Sequence, residues 1–217
     1  MEQSRLAGVH KFVTVGTCCE YPETAPLPLR EHTLWDGYPA PDTAPYGIAK
    51  RLLLAQGQAY RDQYGFNAIH LLPPNLYGPG DNLDPTMGHV VPAMARKFIQ
   101  AARAGADTVT CWGTGRATRE FLYIDDVARG VAMSTEMYDG RDPVNIGIGV
   151  ETRVATLAKT IAKECGFEGT IVWDSSRPDG APRRVLDVSR AKLFGFEAHV
   201  GLEEGIHRTV KWLAGQL

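Results

Sequence analysis

A tyrosine and a lysine spaced four residues apart could transfer a proton if they lie on one helix. The sequence contains Tyr46-Gly-Ile-Ala-Lys50, and this spacing puts a phenol and an ammonium about one turn apart on the same helical face. The ammonium is expected to stabilise the phenolate and lower the pKa of Tyr46 toward neutrality, which suits proton donation to a carbonyl oxygen that receives hydride. Because the same spacing occurs by chance in many helices, it does not define an active site alone.

A threonine precedes this pair in the chain, where a third catalytic hydroxyl would be needed. The run KFVTVG is rich in β-forming residues and predicts a buried strand that ends at Gly16, directly before Thr17. From there Thr17 could hydrogen-bond a substrate carbonyl beside Tyr46. Since threonine after a strand is usually only a turn residue, the combination of Thr17, Tyr46 and Lys50 is the stronger signal.

Cysteine and histidine could add proton abstraction and return. A thiolate in cationic surroundings can act as a base, and histidine can donate a proton near neutral pH, so Cys19 and His89 are candidates. The alternative is that the histidine is a hydrogen-bonded surface group and the cysteine a small core residue. If the strand continued through Cys18, the side chains of Cys18 and Cys19 would point to opposite sides, and we favour Cys19.

Alternating helices and strands must position these residues. Pro45 suits a first helical turn and Gly65 a C-cap, which predicts one long helix between them. Further helices are predicted over residues 90–104, 154–165, 189–194 and 202–217, with another that begins near Asp125; further strands are predicted at FNAIHLL, TVTCW, PVNIGIG and TIVWD. The alternation predicts an α/β protein.

Several motifs occur in an order that resembles one family. They are GTCCEYP, APYGIAK, LLPPNLYGPGDN, GHVVPA, WGTG, REFLYIDDVA, VNIGIG and PDGAPRRVLDVSRAKLFGF, and they span nearly the whole chain. YxxxK is typical of all short-chain dehydrogenases/reductases, whereas Cys19 combined with NLYGPGDN and His89 is much narrower. The chain resembles the GDP-L-fucose synthase family of extended short-chain dehydrogenases/reductases.

This resemblance implies a fold and a reaction. The fold is a truncated Rossmann-type parallel sheet with a small, discontinuous α/β substrate-binding domain. Residues 1–74 and 121–147 would form the partial Rossmann-type domain, and residues 75–120 and 148–217 the nucleotide-sugar-binding domain. The reaction is NADPH-dependent 3,5-epimerisation and 4-reduction of GDP-4-keto-6-deoxy-D-mannose to GDP-L-fucose.

The resemblance also implies roles for individual residues. It implies a site without a metal ion. Cys19 and His89 match the family's base and acid for epimerisation, and the reductase triad is matched by Thr17, Tyr46 and Lys50. Cofactor binding falls to Tyr46, Lys50, Asn75, Leu76 and His89. Substrate binding falls to Asn75, Arg96, Trp112, Arg119, Arg183 and Arg184. Guanidinium groups clamp a diphosphate by paired hydrogen bonds, although each arginine could instead form an exposed ion pair, and Trp112 could be a core residue.

The Gly-rich turn that holds a dinucleotide pyrophosphate is expected to be absent. No GxGxxG precedes KFVTVG, and the later GTGRAT is not followed by the required helix. By the resemblance, the first strands are missing and the KFVTVG strand becomes an edge that invites pairing. Activity is then expected to be impaired or to depend on a missing N-terminal half. The chain could be a truncated form, pair with a chain that completes its sheet, or form a homodimer.

Two other functions stay open. The chain could be a non-catalytic remnant that retains nucleotide-sugar binding, or another NAD(P)-dependent nucleotide-sugar epimerase or dehydratase, which would not need both Cys19 and His89.

Composition narrows the partners and the compartment. The 217 residues carry a net charge of -2, from 23 basic and 25 acidic residues, so no broad nucleic-acid-binding surface is expected. The four cysteines form no CxxC motif or metal-type cluster, which favours a reducing cytoplasm. No apolar run approaches the roughly 20 residues of a membrane span, so neither secretion nor membrane insertion is expected.

Overall fold

The computed structural model describes residues 1–84 and 89–217; residues 85–88, in the predicted loop before His89, lie outside the described part. The α-helices are α1 Glu2–Leu6, α2 Ala44–Tyr64, α3 Val90–Ala104, α4 Ile124–Met137, α5 Val154–Glu164, α6 Ser189–Leu193 and α7 Leu202–Ala214. The strands are β1 Phe12–Val15, β2 Ala68–Leu72, β3 Asn75–Tyr77, β4 Thr108–Trp112, β5 Thr118–Arg119, β6 Phe121–Tyr123, β7 Val144–Asn145, β8 Thr152–Arg153 and β9 Thr170–Asp174. Within the described ranges, no helix is both long enough and apolar enough to span a bilayer.

The helices follow the sequence pattern closely, because their caps are local. Helix α2 is capped by Gly65, which adopts φ +63° and donates its N–H to the carbonyl of Arg61 in the last turn, as the predicted C-cap requires. The predicted strand PVNIGIG is reduced to Val144–Asn145. Two 3-10 helices, Cys18–Glu20 and Glu31–Trp35, have no counterpart among the predicted elements. Side-chain contacts rather than periodicity stabilise such short turns.

The first compact unit comprises Met1–Asn75, Asp126–Gly149 and Val185–Ala198. Its sheet has the order β1-β2-β7 with every pair parallel, so the carboxyl ends of these strands lie at one edge. Strand β2 is buried along its whole length, as is typical of a central parallel strand. A cluster of buried side chains packs beside the sheet: Cys18, Tyr21, Leu29, Leu34, Leu54, Leu72 and Leu186.

The second compact unit comprises Leu76–Asp125, Val150–Arg184 and His199–Leu217. Strands β4 and β9 pair in parallel and β5 and β8 antiparallel, while β3 pairs with β6. Its core lies among α3, α5 and α7, where Phe98, Leu157, Ile161 and Leu213 are fully buried. Helix α3 contributes an apolar stripe at helical spacing to this core: Val91, Met94, Ala95, Phe98 and Ile99.

The boundaries of the two units differ from the predicted domain boundaries in four places, of which residue 75 and residues 148–149 are small shifts. Residues 121–125 lie in the second unit, and residues 185–198 lie in the first. The second assignment has a clear cause, since Leu29 N–H donates to Val185 O at 2.8 Å and Asp187 N–H donates to Leu29 O at 2.9 Å. These two backbone hydrogen bonds, between residues far apart in the sequence, hold residues 185–198 in the first unit. Sequence motifs do not reveal such long-range bonds.

Helix α2 approaches the turn after β1 so closely that one position tolerates only glycine. A methyl group on Gly47 would overlap the carbonyl oxygen of Cys19, whereas one on Gly57 would meet the methyl of Ala68 at 3.2 Å. Alanine normally stabilises a helix relative to glycine by about 1 kcal/mol. At Gly47 this gain is outweighed by overlap with backbone.

We predict that Gly47→Ala lowers the free energy of unfolding by about 1–3 kcal/mol, as overpacking of a rigid contact does. Urea unfolding followed by circular dichroism measures it. Gly57→Ala in the same helix is the matched control and is expected to be much better tolerated, because the Ala68 side chain can shift slightly. Equal destabilisation by the two variants would contradict the close approach at Gly47.

Candidate functional site

Helix α2 presents Tyr46 and Lys50 at the carboxyl end of β1. The Lys50 ammonium donates to Val15 O at 2.9 Å and lies 5.8 Å from the centroid of the Tyr46 ring. Tyr46 is 52% exposed, so its phenol is accessible to a ligand. Because β1 belongs to a parallel sheet, this position is the edge where ligands of open α/β sheets bind.

The tyrosine does not have the electrostatic environment that the YxxxK spacing predicted. Partial burial raises the pKa of Tyr46, the negative charge of Cys19 raises it further, and a hydrogen bond with Thr17 opposes both. The expectation of a lowered pKa is therefore wrong for this structure. Its physical reason is that burial and the neighbouring negative charges outweigh the hydrogen bond that favours the phenolate. The phenol is protonated at neutral pH, as a proton donor must be, but it is a weaker acid than the YxxxK spacing predicted.

Thr17 and Cys19 lie in the turn that follows β1. Thr17 is extended, with φ -161° and ψ 151°, and caps the 3-10 helix Cys18–Glu20. Its hydroxyl accepts from Cys19 N–H at 3.2 Å. The hydrogen bond and the charge that act on Tyr46 show that Thr17 and Cys19 both lie beside the phenol. Thr17, Cys19, Tyr46 and Lys50 are therefore grouped at one edge of the sheet.

The two neighbouring cysteines have different environments. Cys18 is 4% exposed and belongs to the apolar cluster of the first unit, whereas Cys19 is partly exposed. The preference for Cys19 rested on strand alternation, but the chain has left the strand here and forms a 3-10 turn. Cys19 is the accessible thiol because that turn directs Cys18 into the core.

Asn75 follows β2 at the same edge. Gly16 N–H donates to Leu71 O at 2.7 Å, and Cys18 N–H donates to Pro73 O at 2.9 Å. These bonds extend the β1–β2 ladder and bring the chain before Asn75 alongside the Thr17 turn. Asn75 and the next residue, Leu76, are both partly buried.

Three charged residues that the sequence pattern did not indicate support this group. Arg51 is buried and donates to Glu20 O at 2.6 Å, and burial lowers its pKa. Glu20 and His70 are also buried and contact one another at 3.1 Å. Sequence signals exist for two of them: Glu20 completes the capping-box spacing Thr17-x-x-Glu20, and Arg51 lies four residues after Gly47, on the face of α2 that meets the turn.

In the second unit, His89 pairs with a carboxylate. His89 caps the N-terminus of α3, its side chain is 71% exposed, and its Nδ1 lies 2.8 Å from Asp81 Oδ1. An ionised carboxylate only accepts hydrogen bonds, so Nδ1 carries a proton and Nε2 faces outward. Asp81 Oδ2 is buried and has no hydrogen-bond partner among residues 1–84 and 89–217. The contact with Asp81 uses Nδ1 and leaves Nε2 as the second ring nitrogen of an exposed side chain.

The predicted substrate-binding side chains of the second unit have diverse contacts. Trp112 is 65% exposed, with Lys97 and Arg177 over its ring at 5.3 and 5.2 Å, so it is not a core residue. The remaining predicted residues are arginines with acceptors inside the unit: Arg96 donates to Leu83 O, Arg119 to the carbonyls of Thr118, Asp179 and Ala181, and Arg183 to Glu151, while Arg184 is half-buried. A bound diphosphate would have to accept hydrogen bonds from guanidinium groups that already donate to these acceptors, either beside them or in their place.

The chain is similar to proteins that are named as GDP-L-fucose synthases. Residues 1–147 match the model of the NAD dependent epimerase/dehydratase family. A probable GDP-L-fucose synthase 1 from Oryza sativa subsp. japonica is 42% identical over 208 residues, which cover 96% of this chain and 63% of the rice protein. The GDP-L-fucose synthase of Escherichia coli (strain K12) is 38% identical over 213 residues, which cover 94% of this chain and 66% of the bacterial protein. The chain thus spans less than two thirds of the length of these curated relatives.

A solved structure agrees with this placement. The crystal structure of a GDP-L-fucose synthetase from Naegleria fowleri bound to NADP superimposes with a TM-score of 0.90 at 27% identity. The match covers 98% of this chain and 68% of the other. The likeness extends through both compact units of the α/β fold.

We predict that Cys19→Ser lowers the pKa of Tyr46 relative to the unsubstituted protein. A cysteine thiol ionises before a tyrosine phenol, so the serine variant removes a negative charge that now raises the pKa of Tyr46, while the contribution of burial persists. NMR titration of proteins labelled at tyrosine Cζ measures this pKa, with Tyr46→Phe to assign the signal. Cys165→Ser, in the second unit, is the control. An unchanged Tyr46 titration in Cys19→Ser would show that the two groups are not coupled.

Proposed function

The chain belongs to the NAD-dependent epimerase/dehydratase family and is a relative of the GDP-L-fucose synthases. We propose that it converts GDP-4-keto-6-deoxy-D-mannose to GDP-L-fucose, by epimerisation at C3 and C5 followed by reduction at C4 with NADPH. The observation that supports this most is the grouping of Thr17, Cys19, Tyr46 and Lys50 at the carboxyl edge of the first unit's sheet. A proton donor and a base beside one another are what a combined reductase and epimerase needs.

The first unit's residues fit the nicotinamide end of NADPH. The Tyr46 phenol is open to solvent, and the Lys50 ammonium has one of its three hydrogens on Val15 O, which leaves two donors for a ligand. Asn75 lies at the same edge, and Leu76, which follows it, completes the proposed cofactor-binding set together with His89. When bound, NADPH would supply a hydride to the C4 carbonyl carbon.

In the reduction, Tyr46 would donate its phenolic proton to the C4 oxygen. The raised pKa of Tyr46 keeps that proton available at neutral pH. The Thr17 hydroxyl would hydrogen-bond the same oxygen, since Thr17 and Tyr46 interact directly. Both donors would also stabilise the negative charge that forms on this oxygen when a proton is removed from C3 or C5.

In the epimerisation, the Cys19 thiolate would remove the protons next to the ketone. His89 would return a proton to the opposite face of each carbon. The Asp81 carboxylate supports this role, because it fixes a proton on Nδ1 and leaves Nε2 as the group that transfers. Each proton removal places negative charge on the C4 oxygen. Each proton return restores the C4 ketone and inverts the configuration at C3 or C5.

The second unit offers groups suited to a nucleotide diphosphate. We propose that Trp112 and the guanidinium groups of Arg96, Arg183 and Arg184 bind the nucleotide sugar. The exposure of Trp112 supports stacking. Arg119 has three carbonyl acceptors around residues 179–181, so its contribution would be to hold that loop as well as to contact substrate.

A homodimer is part of the proposal. Helix α2 leaves Ile48 and Leu52 exposed, at 39% and 66%, and apolar side chains on one helix favour burial against a second copy. Pairing with a chain that completes the sheet is the alternative. Sedimentation of the protein alone distinguishes a dimer from a monomer that requires another chain.

Calorimetry separates catalysis from nucleotide-sugar binding alone. Titration with GDP is expected to show binding, and titration with NADPH is expected to show weaker binding, because the sequence contains no Gly-rich turn for the pyrophosphate. GDP binding without NADPH binding would favour the non-catalytic alternative or an incomplete cofactor site. Absence of GDP binding by a folded sample would count against both.

We predict that two substitutions separate the epimerisation from the reduction. Cys19→Ser is expected to slow solvent-deuterium incorporation at C3 and C5 by about 100-fold or more, because serine is a far weaker base than a thiolate. Tyr46→Phe is expected to slow NADPH oxidation by a similar factor while it retains more of the deuterium incorporation. Mass spectrometry and absorbance at the nicotinamide band measure the two rates.

Cys165→Ser is the matched control for the cysteine substitution. Burial raises the pKa of Cys165 to about 12, so its thiol is not ionised at neutral pH. Its removal is expected to change neither rate. If Cys19→Ser retained full deuterium incorporation, the epimerase would have to be reassigned to another base.

A further inference from the structure

A buried polar network lies beneath the turn that carries Thr17 and Cys19. Glu20 is 0% exposed, His70 2% and Thr14 6%. His70 Nε2 lies 3.1 Å from both carboxylate oxygens of Glu20, and His70 Nδ1 lies 2.7 Å from Thr14 Oγ1. Buried ionisable groups persist only when they are paired and hydrogen-bonded, and this set is connected from β1 to β2 to the turn.

The direction of each hydrogen bond in the network can be assigned. The Thr14 hydroxyl donates its single hydrogen to Ile69 O at 3.0 Å, so it must accept from His70 Nδ1. His70 therefore carries a proton on Nδ1. One further proton lies between Nε2 and the Glu20 carboxyl group, because two lone pairs would otherwise face each other. His70 thus has a fixed orientation and holds the Glu20 side chain in place.

Glu20 passes this constraint to the turn. Its Oε1 accepts from Thr17 N–H at 2.8 Å, and its backbone carbonyl accepts from the buried Arg51 at 2.6 Å. A methyl group on Gly16 would overlap both the Glu20 carboxylate and the His70 ring, so the network fills the space directly under the end of β1. Thr17 and Cys19 are therefore fixed through Glu20 from two directions.

We propose that Glu20, oriented by His70, is a positioning residue that sets the place of the Thr17 hydroxyl and the Cys19 thiol. This inference rests on the proposed function, since it assigns a purpose to the position of residues that the proposal makes catalytic. Glu20 does not touch substrate or cofactor in this role. It acts by holding Thr17 N–H, and through it the hydroxyl that also receives Cys19 N–H.

A purely structural role predicts a different response to substitution. A buried ion pair can often be replaced by apolar residues of similar volume without loss of stability. Glu20→Leu with His70→Leu would then restore a packed interior, but it would leave Thr17 N–H without its acceptor. Stability and positioning are separable in this double variant.

The experiment compares Glu20→Leu, His70→Leu, the double variant and Glu20→Gln. For each protein, thermal unfolding, NMR hydrogen exchange at the Thr17 amide, and deuterium incorporation at C3 and C5 of the substrate are measured. In Glu20→Leu and in the double variant, the Thr17 amide is expected to exchange about tenfold faster or more, because its hydrogen bond is lost. Deuterium incorporation is expected to fall by about 10- to 100-fold, as for other small displacements of catalytic groups.

Rescue patterns decide between the two roles. The double variant is expected to recover most of the melting temperature lost in Glu20→Leu without recovering Thr17 protection or deuterium incorporation. Glu20→Gln is expected to keep most of the Thr17 protection, because its amide oxygen can accept from Thr17 and its amide nitrogen can donate to His70. Restoration of all three measurements in the double variant would overturn the proposal.

Glu31 provides a matched control in the same unit. It is a buried glutamate whose Oε1 accepts from Asn145 N–H at 3.0 Å. Glu31→Leu is expected to lower the melting temperature and leave the Thr17 amide unchanged. Loss of Thr17 protection in Glu31→Leu would show that any buried glutamate produces the effect and would overturn the proposal.

Failure of the proposed function has a different signature. If the unsubstituted protein incorporates no deuterium, the catalytic assignment fails, but hydrogen exchange at Thr17 still reports whether Glu20 positions the turn. If deuterium is incorporated and Thr17 protection does not depend on Glu20, the positioning inference alone fails.

Discussion

Backbone groups that leave a parallel sheet need new hydrogen-bond partners when they stay buried, and at the end of β1 side chains supply many of them. Glu20 accepts Thr17 N–H, Lys50 donates to Val15 O, and Arg51 donates to Glu20 O. The contacts come from residues of α2 and of the turn itself. They place the proton donor, the thiol and the ammonium at one edge of the sheet, and the rest of the site depends on them.

The same contacts set the electrostatics of the edge. Burial, which has the largest effect, and the charge of Cys19 raise the pKa of Tyr46, while the Lys50 ammonium donates to Val15 O. A phenol with a raised pKa is protonated at neutral pH and is a weaker acid than the sequence predicted. Cys19 lies beside the Tyr46 phenol, whereas the thiol of Cys165 lies in the second unit, where burial raises its pKa to about 12. Environment rather than residue type distinguishes the two thiols.

The second unit uses arginine differently. The guanidinium groups of Arg119 and Arg183 hydrogen-bond to backbone carbonyls and to Glu151. These contacts hold the two guanidinium groups in defined positions within the unit. His89 is similar, since Asp81 fixes its ring before any ligand binds.

The sequence by itself determined the features that depend on neighbouring residues. Helix α2 could be read from Pro45 and Gly65 because caps act within one turn, and the strands TVTCW and TIVWD from their apolar alternation and length. Ordered motifs also identified the family, and the YxxxK spacing located Tyr46 and Lys50.

Tertiary structure decided what depends on distant residues. It placed residues 185–198 in the first unit through Leu29, and it brought His70 to Glu20 across 50 residues of chain. It also reversed the expected pKa shift of Tyr46, because a spacing of four residues shows neither the burial of the phenol nor the Cys19 charge beside it.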